Sequence, residues 1–189
     1  MCASVRKLQR VPTRPVRYKH GTQLKLTEVT GIADKTHPEI VELNALSRGV
    51  VAAMAPMALS RNIDIAFEDA GTPVRVHGSR DALSRALRNL VENALQHAQG
   101  ATFVRVSVDD EGCIFVTDNG AGIPESDRER IFERFRGRAG KESAGALLGL
   151  AIVKQTIEAH NGAVRVFDAP GQQGVSFSVA LPLATVPPD

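Results

Sequence analysis

The sequence predicts an α+β fold: a two-layer sandwich in which a mixed, largely antiparallel sheet carries helices on one face. Two adjacent pairs of β-prone runs, "ATFVRVSVDDEGCIFVTD" and "AVRVFDAPGQQGVSFSVALP", are each broken by turn residues, as hairpins are. Between and before them lie long helix-forming segments whose apolar residues recur at helical spacing. No internal repeat stands out, so one sheet and its helices account for the regular part of the chain.

The elements follow in order from about Glu39. "EIVEL" is a short strand candidate, and "NALSRGVVAAMAPMALSR" is mostly helix former, with Asn44 as N-cap and Pro56 as a kink. "IDIAFE" alternates with period two and "PVRVHG" is a further brief strand. "SRDALSRALRNLVENALQHAQG" is a strong helix: Ser79 caps it, Gly100 stops it, and Leu83, Leu87, Leu90 and Ala94 recur along one side. The first hairpin turns at "DDEG". After it, "NGAGIPESDRERIFERFRGRAGKESAGAL" is charged and glycine-rich, with one short amphipathic turn around Ile131–Phe135. "LGLAIVKQTIEAHNG" is a helix ended by Asn161-Gly162, and the second hairpin follows.

Residues 1–38 stand apart from residues 39–189. The first 27 residues carry seven Lys or Arg and no acid, which leaves 16 basic and 21 acidic residues in the remainder of a chain of net charge +2. This stretch reads as an extended basic arm or linker, a solvated tail in preference to a contact with an anionic membrane or a nucleic acid. Aromatics make up 4% of the chain with no Trp, so stacking on single-stranded nucleic acid has little support, and no nucleic-acid partner is expected. Cys2 and Cys113 form no metal spacing and no disulfide framework, which favours a reducing, cytosolic setting. The longest apolar run, "GVVAAMAPMAL", is interrupted by Pro56 and is too short to span a bilayer.

Two features ask for chemistry. On the long helix, Asn89, Asn93 and His97 fall one turn apart on the polar side, although asparagine is a poor residue for a helix interior. A solvated polar face would explain them. So would a hard cation that keeps waters, takes phosphate ligands and accepts one neutral amide oxygen, as Mg²⁺ does. In "FVTDNGAGIP", Asp118 leaves a strand end into a loop where Gly120 and Gly122 flank Ala121. A turn needs one residue at positive φ; two such glycines suggest backbone that lets another group come close.

These stretches do not stand alone. "NLVEN", "DNGAGIP", "IFERF" and "GALLGLAIVK" follow one another in that order, and together they resemble the catalytic and ATP-binding domain of two-component sensor histidine kinases. That domain belongs to the wider ATPase group of DNA gyrase, the heat-shock chaperone and the mismatch-repair ATPase. The likeness covers roughly residues 40–182, including the closing "GVSFSVALP". It implies ATP and Mg²⁺ as cofactors. Asp118 would accept a hydrogen bond from the adenine amino group, with Gly120, Gly122 and Ile123 forming the adjoining wall. Ser176 would supply a hydroxyl beside that acid. Asn93 would bind the metal, Asn89 would lie nearer the reacting phosphate, and His97 would flank the nucleotide. Phe132 and Phe135 would anchor a lid running from Gly137 to Leu148, with Arg134, Arg136 or Lys141 as lid cations and Arg134 the catalytic one. Gly145, Leu147, Leu148, Gly149 and Leu150 would form the second glycine box, at the start of the next helix.

The chain departs from the family pattern at two points. The box commonly reads Gly-x-Gly-Leu-Gly, and here its middle glycine is Leu147. Where the family often has a basic residue and then an aromatic, this chain has Gln96 and His97. The resemblance implies a protein histidine kinase module that passes the γ-phosphoryl of ATP to a histidine on a separate dimerisation domain, and thence to a response regulator receiver domain. His37 is a poor acceptor, because Pro38 follows it and would break the helix an acceptor needs. The placement implied is cytoplasmic, as the cytoplasmic part of a membrane-anchored sensor, with any membrane segment outside this chain. Leu147 and Gln96 keep open a nucleotide-binding switch without phosphotransfer. An anti-sigma-type serine kinase is the third reading, disfavoured by "EIVEL" and the long first helix.

Overall fold

The computed structural model describes residues 39–184 apart from 70, 134–140, 170 and 172, with backbone alone for 141–148. The basic arm over 1–38 lies outside the described residues. Strands β1 (Glu39–Glu42) and β3 (Arg75–Gly78) form a small antiparallel pair, extended by a bridge between Val76 and Leu183. The main sheet has the order β2-β4-β5-β7-β6, with β2 (Asp64–Asp69), β4 (Phe103–Val108), β5 (Cys113–Asp118), β6 (Ala163–Asp168) and β7 (Val175–Ala180). Only the β2–β4 pair is parallel; β4–β5, β5–β7 and β7–β6 are antiparallel. Both hairpins therefore form as the sequence leads one to expect.

Alternation along the strands decides which side carries the helices. Val104, Val106 and Val108 of β4, Ile114 and Val116 of β5, and Val175, Phe177 and Val179 of β7 are buried and share one face. Against that core lie helices α1 (Leu43–Ser60), α2 (Arg80–His97) and α3 (Lys141–Ala159). Helix α2 buries Leu83, Leu87, Leu90, Val91 and Leu95 on one stripe, and a fully buried leucine such as Leu90 contributes about 1.5–3 kcal/mol of transfer free energy.

Helix boundaries split into expected and unexpected. Ser79 caps α2, its Oγ accepting from the Ala82 N–H at 3.3 Å, and Gly100 follows at φ +74°. Asn161 adopts φ +57° past the end of α3, as its place before Gly162 suggests. Asn44, by contrast, is no N-cap. It lies inside α1, buried, with Oδ1 accepting from Val74 N–H at 2.9 Å and Nδ2 donating to Thr72 O at 3.1 Å. Its amide satisfies the backbone of a neighbouring loop instead of the helix start. Pro56 sits within α1, whose helical assignment continues to Ser60. Helix α3 begins at Lys141, seven residues before the expected Leu148. Cys113 is half-buried and unpaired, its thiol pushed up to about 11 by burial and by Asp109 and Glu111, which leaves it unreactive at neutral pH.

Candidate functional site

Strand parity aims Asp118 into the protein. Ile114, Val116 and Asp118 project to the helix-bearing side of β5, and Asp118 is 2% exposed. Its Oδ1 accepts the Gly120 N–H at 2.9 Å, and the Val175 N–H also reaches the carboxylate. Burial raises its pKa above the ordinary carboxylate value, and the two amides pull in the opposite direction without cancelling it. The two glycines have separate reasons. A Cβ on Gly120 would lie 2.9 Å from Ala98 Cβ and 3.0 Å from the Ala98 carbonyl carbon, so only glycine lets this loop press against the end of α2. Gly122 takes φ +85°.

The loop is fastened to the α2–β4 connection. Ala121 N–H donates to Gln99 O at 2.9 Å. Asn119 Oδ1 accepts from the N–H groups of Thr102 and Phe103 at 2.9 and 3.1 Å, and its Nδ2 donates to Thr102 Oγ1 at 2.9 Å. One side chain thus satisfies three partners.

Helix α2 supplies the opposite wall. Asn89 Nδ2 faces Gly149 O of α3 at 3.5 Å, Asn93 is half-buried one turn on, and His97 is exposed one turn further. The helix ends beside Ala98, where Gly120 packs. The line from Asn89 to that point covers nine residues, about 14 Å at 1.5 Å per residue. One end of the amide line borders α3 and the other borders the Asp118–Gly122 loop, on the same layer of the sheet.

Residues 78–185 match the family described as histidine kinase-, DNA gyrase B-, and HSP90-like ATPase. The chain belongs to this family. Over 145 residues it is 42% identical to the sensor-like histidine kinase SenX3 of Mycobacterium tuberculosis, covering 73% of this chain and 33% of SenX3. The chain spans about a third of that relative's length. The catalytic domain of the histidine kinase ThkA superposes with a TM-score of 0.67 at 27% identity, over 78% of this chain and 97% of that one. ThkA in complex with the response regulator protein TrrA gives 0.64 at 26% identity, over 78% of this chain and 42% of that one. Full-length ShkA in complex with AMPPNP gives 0.64 at 32% identity, over 79% of this chain and 32% of ShkA.

Within this ATPase domain several expected site residues stand elsewhere than foreseen. Ser176 pairs with Thr117 across the β5–β7 ladder, and their hydroxyls meet at 2.8 Å. Parity therefore puts Ser176 on the opposite face of the sheet from Asp118; the last strand reaches the acid through the Val175 N–H instead. The second glycine box does not precede the helix: Gly145, Leu147, Leu148 and Gly149 are all helical residues of α3. Leu150 is 3% exposed and holds α3 to the core. Gln96 is exposed and turns toward α1, its Nε2 at 3.9 Å from Met57 Sδ. Phe132 is buried in a short 3₁₀ turn, Arg130–Phe132, edge-on to Phe177 with ring centroids 6.2 Å apart. Ile123 is half-buried against the edge of the core. Arg134, Phe135 and Arg136 lie outside the described residues, as do residues 137–140 of the expected lid; the rest of that lid, 141–148, is helical backbone of α3, and the Lys141 side chain is not described.

Sequence reasoning missed Asn119, Val175 and Arg128. Asn119 follows a strand end, where asparagine is an ordinary turn residue. Val175 acts through its backbone, which no side-chain pattern reports. Arg128 is hidden in the charge run "ESDRER".

Proposed function

We propose that residues 39–189 are the ATP-binding catalytic domain of a two-component sensor histidine kinase, supplying the γ-phosphoryl of ATP to a histidine on a separate dimerisation domain that in turn serves a response regulator. One observation carries the reading: the buried Asp118 carboxylate projects to the helix-bearing side of the sheet, the layer that carries the amide line of α2. A charged acceptor there reads an exocyclic amino donor of a purine, and the charge makes that bond stronger than a neutral one. Gly120, Gly122 and Ile123 line the approach to it. Asn93 and His97 would face the phosphate-bearing part of the nucleotide, and Asn89, closer to α3, the reacting end.

The donor set fits Mg²⁺ in one particular way. Among the described residues no group of three or more His, Cys, Asp or Glu could hold a metal ion by itself. A single amide oxygen from Asn93, with phosphate oxygens and water completing the shell, is the arrangement Mg²⁺ favours. When bound there it would supply charge neutralisation on the phosphates. The chain's own contribution is orientation: phosphoryl transfer asks the protein for positioning and electrostatics more than for covalent chemistry. The ShkA–AMPPNP and ThkA–TrrA structures support the nucleotide and the response regulator as binding partners. Among the described residues no helix is long and apolar enough to cross a membrane.

The test has two stages. Mg·ATP is titrated against the domain, and the loaded domain is then mixed with a helical acceptor domain and assayed for acid-labile phosphate. Binding with acid-labile transfer supports the proposal, and acid-stable phosphoserine contradicts it. A second reading, nucleotide binding without transfer, is favoured by the helical state of Gly145–Gly149 and by Gln96 being engaged with α1. Binding alone, with no phosphate on any acceptor histidine, is its signature.

A further inference from the structure

Arg128 is out of character for its surroundings. It follows the 3₁₀ turn Glu125–Asp127 in a charge-rich loop where arginine is ordinarily solvated, yet its side chain is only 19% exposed. Its Nε donates to Ile123 O at 3.1 Å, and its Nη2 is paired with Asp168 Oδ1 at the end of β6. Asp168 itself is 75% exposed, so a simple surface ion pair would contribute little. What distinguishes this one is the simultaneous hold on a backbone carbonyl next to Gly122.

The two partners of Arg128 lead back to the same acid. From Asp168 the chain continues to Ala169, whose N–H donates to Gly174 O at 3.1 Å, and the next N–H, that of Val175, reaches the Asp118 carboxylate. From Ile123 the chain runs back through Gly122 to Gly120, whose N–H also donates to that carboxylate, at 2.9 Å. Two loops at one end of the sheet, the one after β5 and the one between β6 and β7, are thus joined at Asp118 on the inside and at Arg128 on the outside.

We propose that Arg128 is a positioning residue for the purine site: its guanidinium, tied to Asp168, fixes the Ile123 carbonyl and so holds the wall beside Asp118 at the spacing a base requires. This rests on the nucleotide-binding reading given above. A guanidinium suits the task because its planar fork serves two acceptors in fixed directions, whereas an ammonium is a single point donor. The strap acts on the base end of the site and leaves the amide line of α2 untouched.

The experiment compares wild type with R128Q, R128K, D168N and R128Q/D168N by calorimetry with ADP and with Mg·ATP, and by hydrogen exchange of residues 119–124 in the nucleotide-free chain. R128Q is expected to weaken both nucleotides by the same factor, about three- to tenfold, the effect of one net hydrogen bond. Exchange at 119–124 should rise while that of β4 and β5 does not. R128K should fall between wild type and R128Q. D168N should lose less, and the double variant no more than R128Q. Wild-type affinity in R128Q overturns the proposal, and so does a loss accompanied by faster exchange throughout the sheet, which would mark a merely structural residue. A wild-type chain that binds neither nucleotide would instead overturn the functional reading, and loop exchange would then decide the strap by itself.

Discussion

Replacing Asp118 with asparagine separates recognition from folding. In the native chain this carboxylate is 2% exposed and holds two backbone N–H groups, yet burial still leaves its pKa above the ordinary value. A group whose folded pKa is raised binds protons more tightly in the native state than in the unfolded one. Its ionised form therefore lowers stability, and that loss sets in as pH climbs from the unfolded pKa through the folded one. Asparagine keeps an oxygen for the Gly120 and Val175 amides and removes the charge. At pH 7.5 the variant should melt within about 4 °C of wild type or above it, the shift expected of roughly 1 kcal/mol in a domain this size. Nucleotide binding should behave oppositely. A hydrogen bond to a charged group is worth about 1.5–3 kcal/mol, so losing it raises Kd for ATP and ADP roughly ten- to 150-fold. Calorimetric titration alongside thermal melts measures both. A folded variant that binds ADP as tightly as wild type would refute the role given to Asp118.

Four further outcomes follow from the same geometry. Wild-type ADP affinity should decline as pH falls through the raised Asp118 pKa, because protonation removes the charged acceptor; Asp118→Asn should lack that pH dependence when both are titrated. Asn93→Ala should raise the Kd for Mg·ATP roughly tenfold while leaving the melt unchanged or slightly higher, since alanine is the better helix former by a fraction of a kcal/mol; equal loss of metal-free ADP binding would argue against a metal-side role. His160 takes the Ser79 N–H on Nε2 at 3.1 Å while its Nδ1 meets Thr156 O at 2.7 Å, tying the end of α3 to the start of α2. His160→Ala orphans that N–H and should cost about 1–3 kcal/mol by urea denaturation, with an unchanged midpoint as the contrary result. Leu147→Gly takes about 1 kcal/mol of propensity from helical α3; if the box must leave the helix to grip phosphate, Mg·ATP affinity rises and adenosine affinity does not.

What could be read from the letters was whatever period or order reports. The hairpins, the stripe of α2, the Ser79 cap and the four ordered motifs all belong to that class. The sheet parity of Asp118 was not legible, because Cys113, Ile114, Phe115 and Val116 of "CIFVTD" are all apolar and no alternation marks the buried face. The other misses share a different cause: long-range partners. Asn44 looked like a cap because caps and buried loop ties use the same amide, and only the fold brings Thr72 and Val74 within its reach. Ser176 looked close to Asp118 because the motif fixes strand order but a one-residue parity error reverses the face. The extra turns of α3 were obscured by glycines in "SAGALLG", whose weak local propensity the helical backbone nevertheless overrides. Arg128 could not be singled out in a run of charges, since its significance comes from a carbonyl five residues back and a carboxylate forty residues on.

A crystal structure of residues 39–189 with Mg²⁺ and a non-hydrolysable ATP analogue puts the central claim to its most direct test. The base should lie with its amino nitrogen about 3 Å from an Asp118 oxygen, and the cation should take the Asn93 amide oxygen as a ligand. A nucleotide seated away from Asp118, or phosphates running away from the Asn89–Asn93 line, would contradict it.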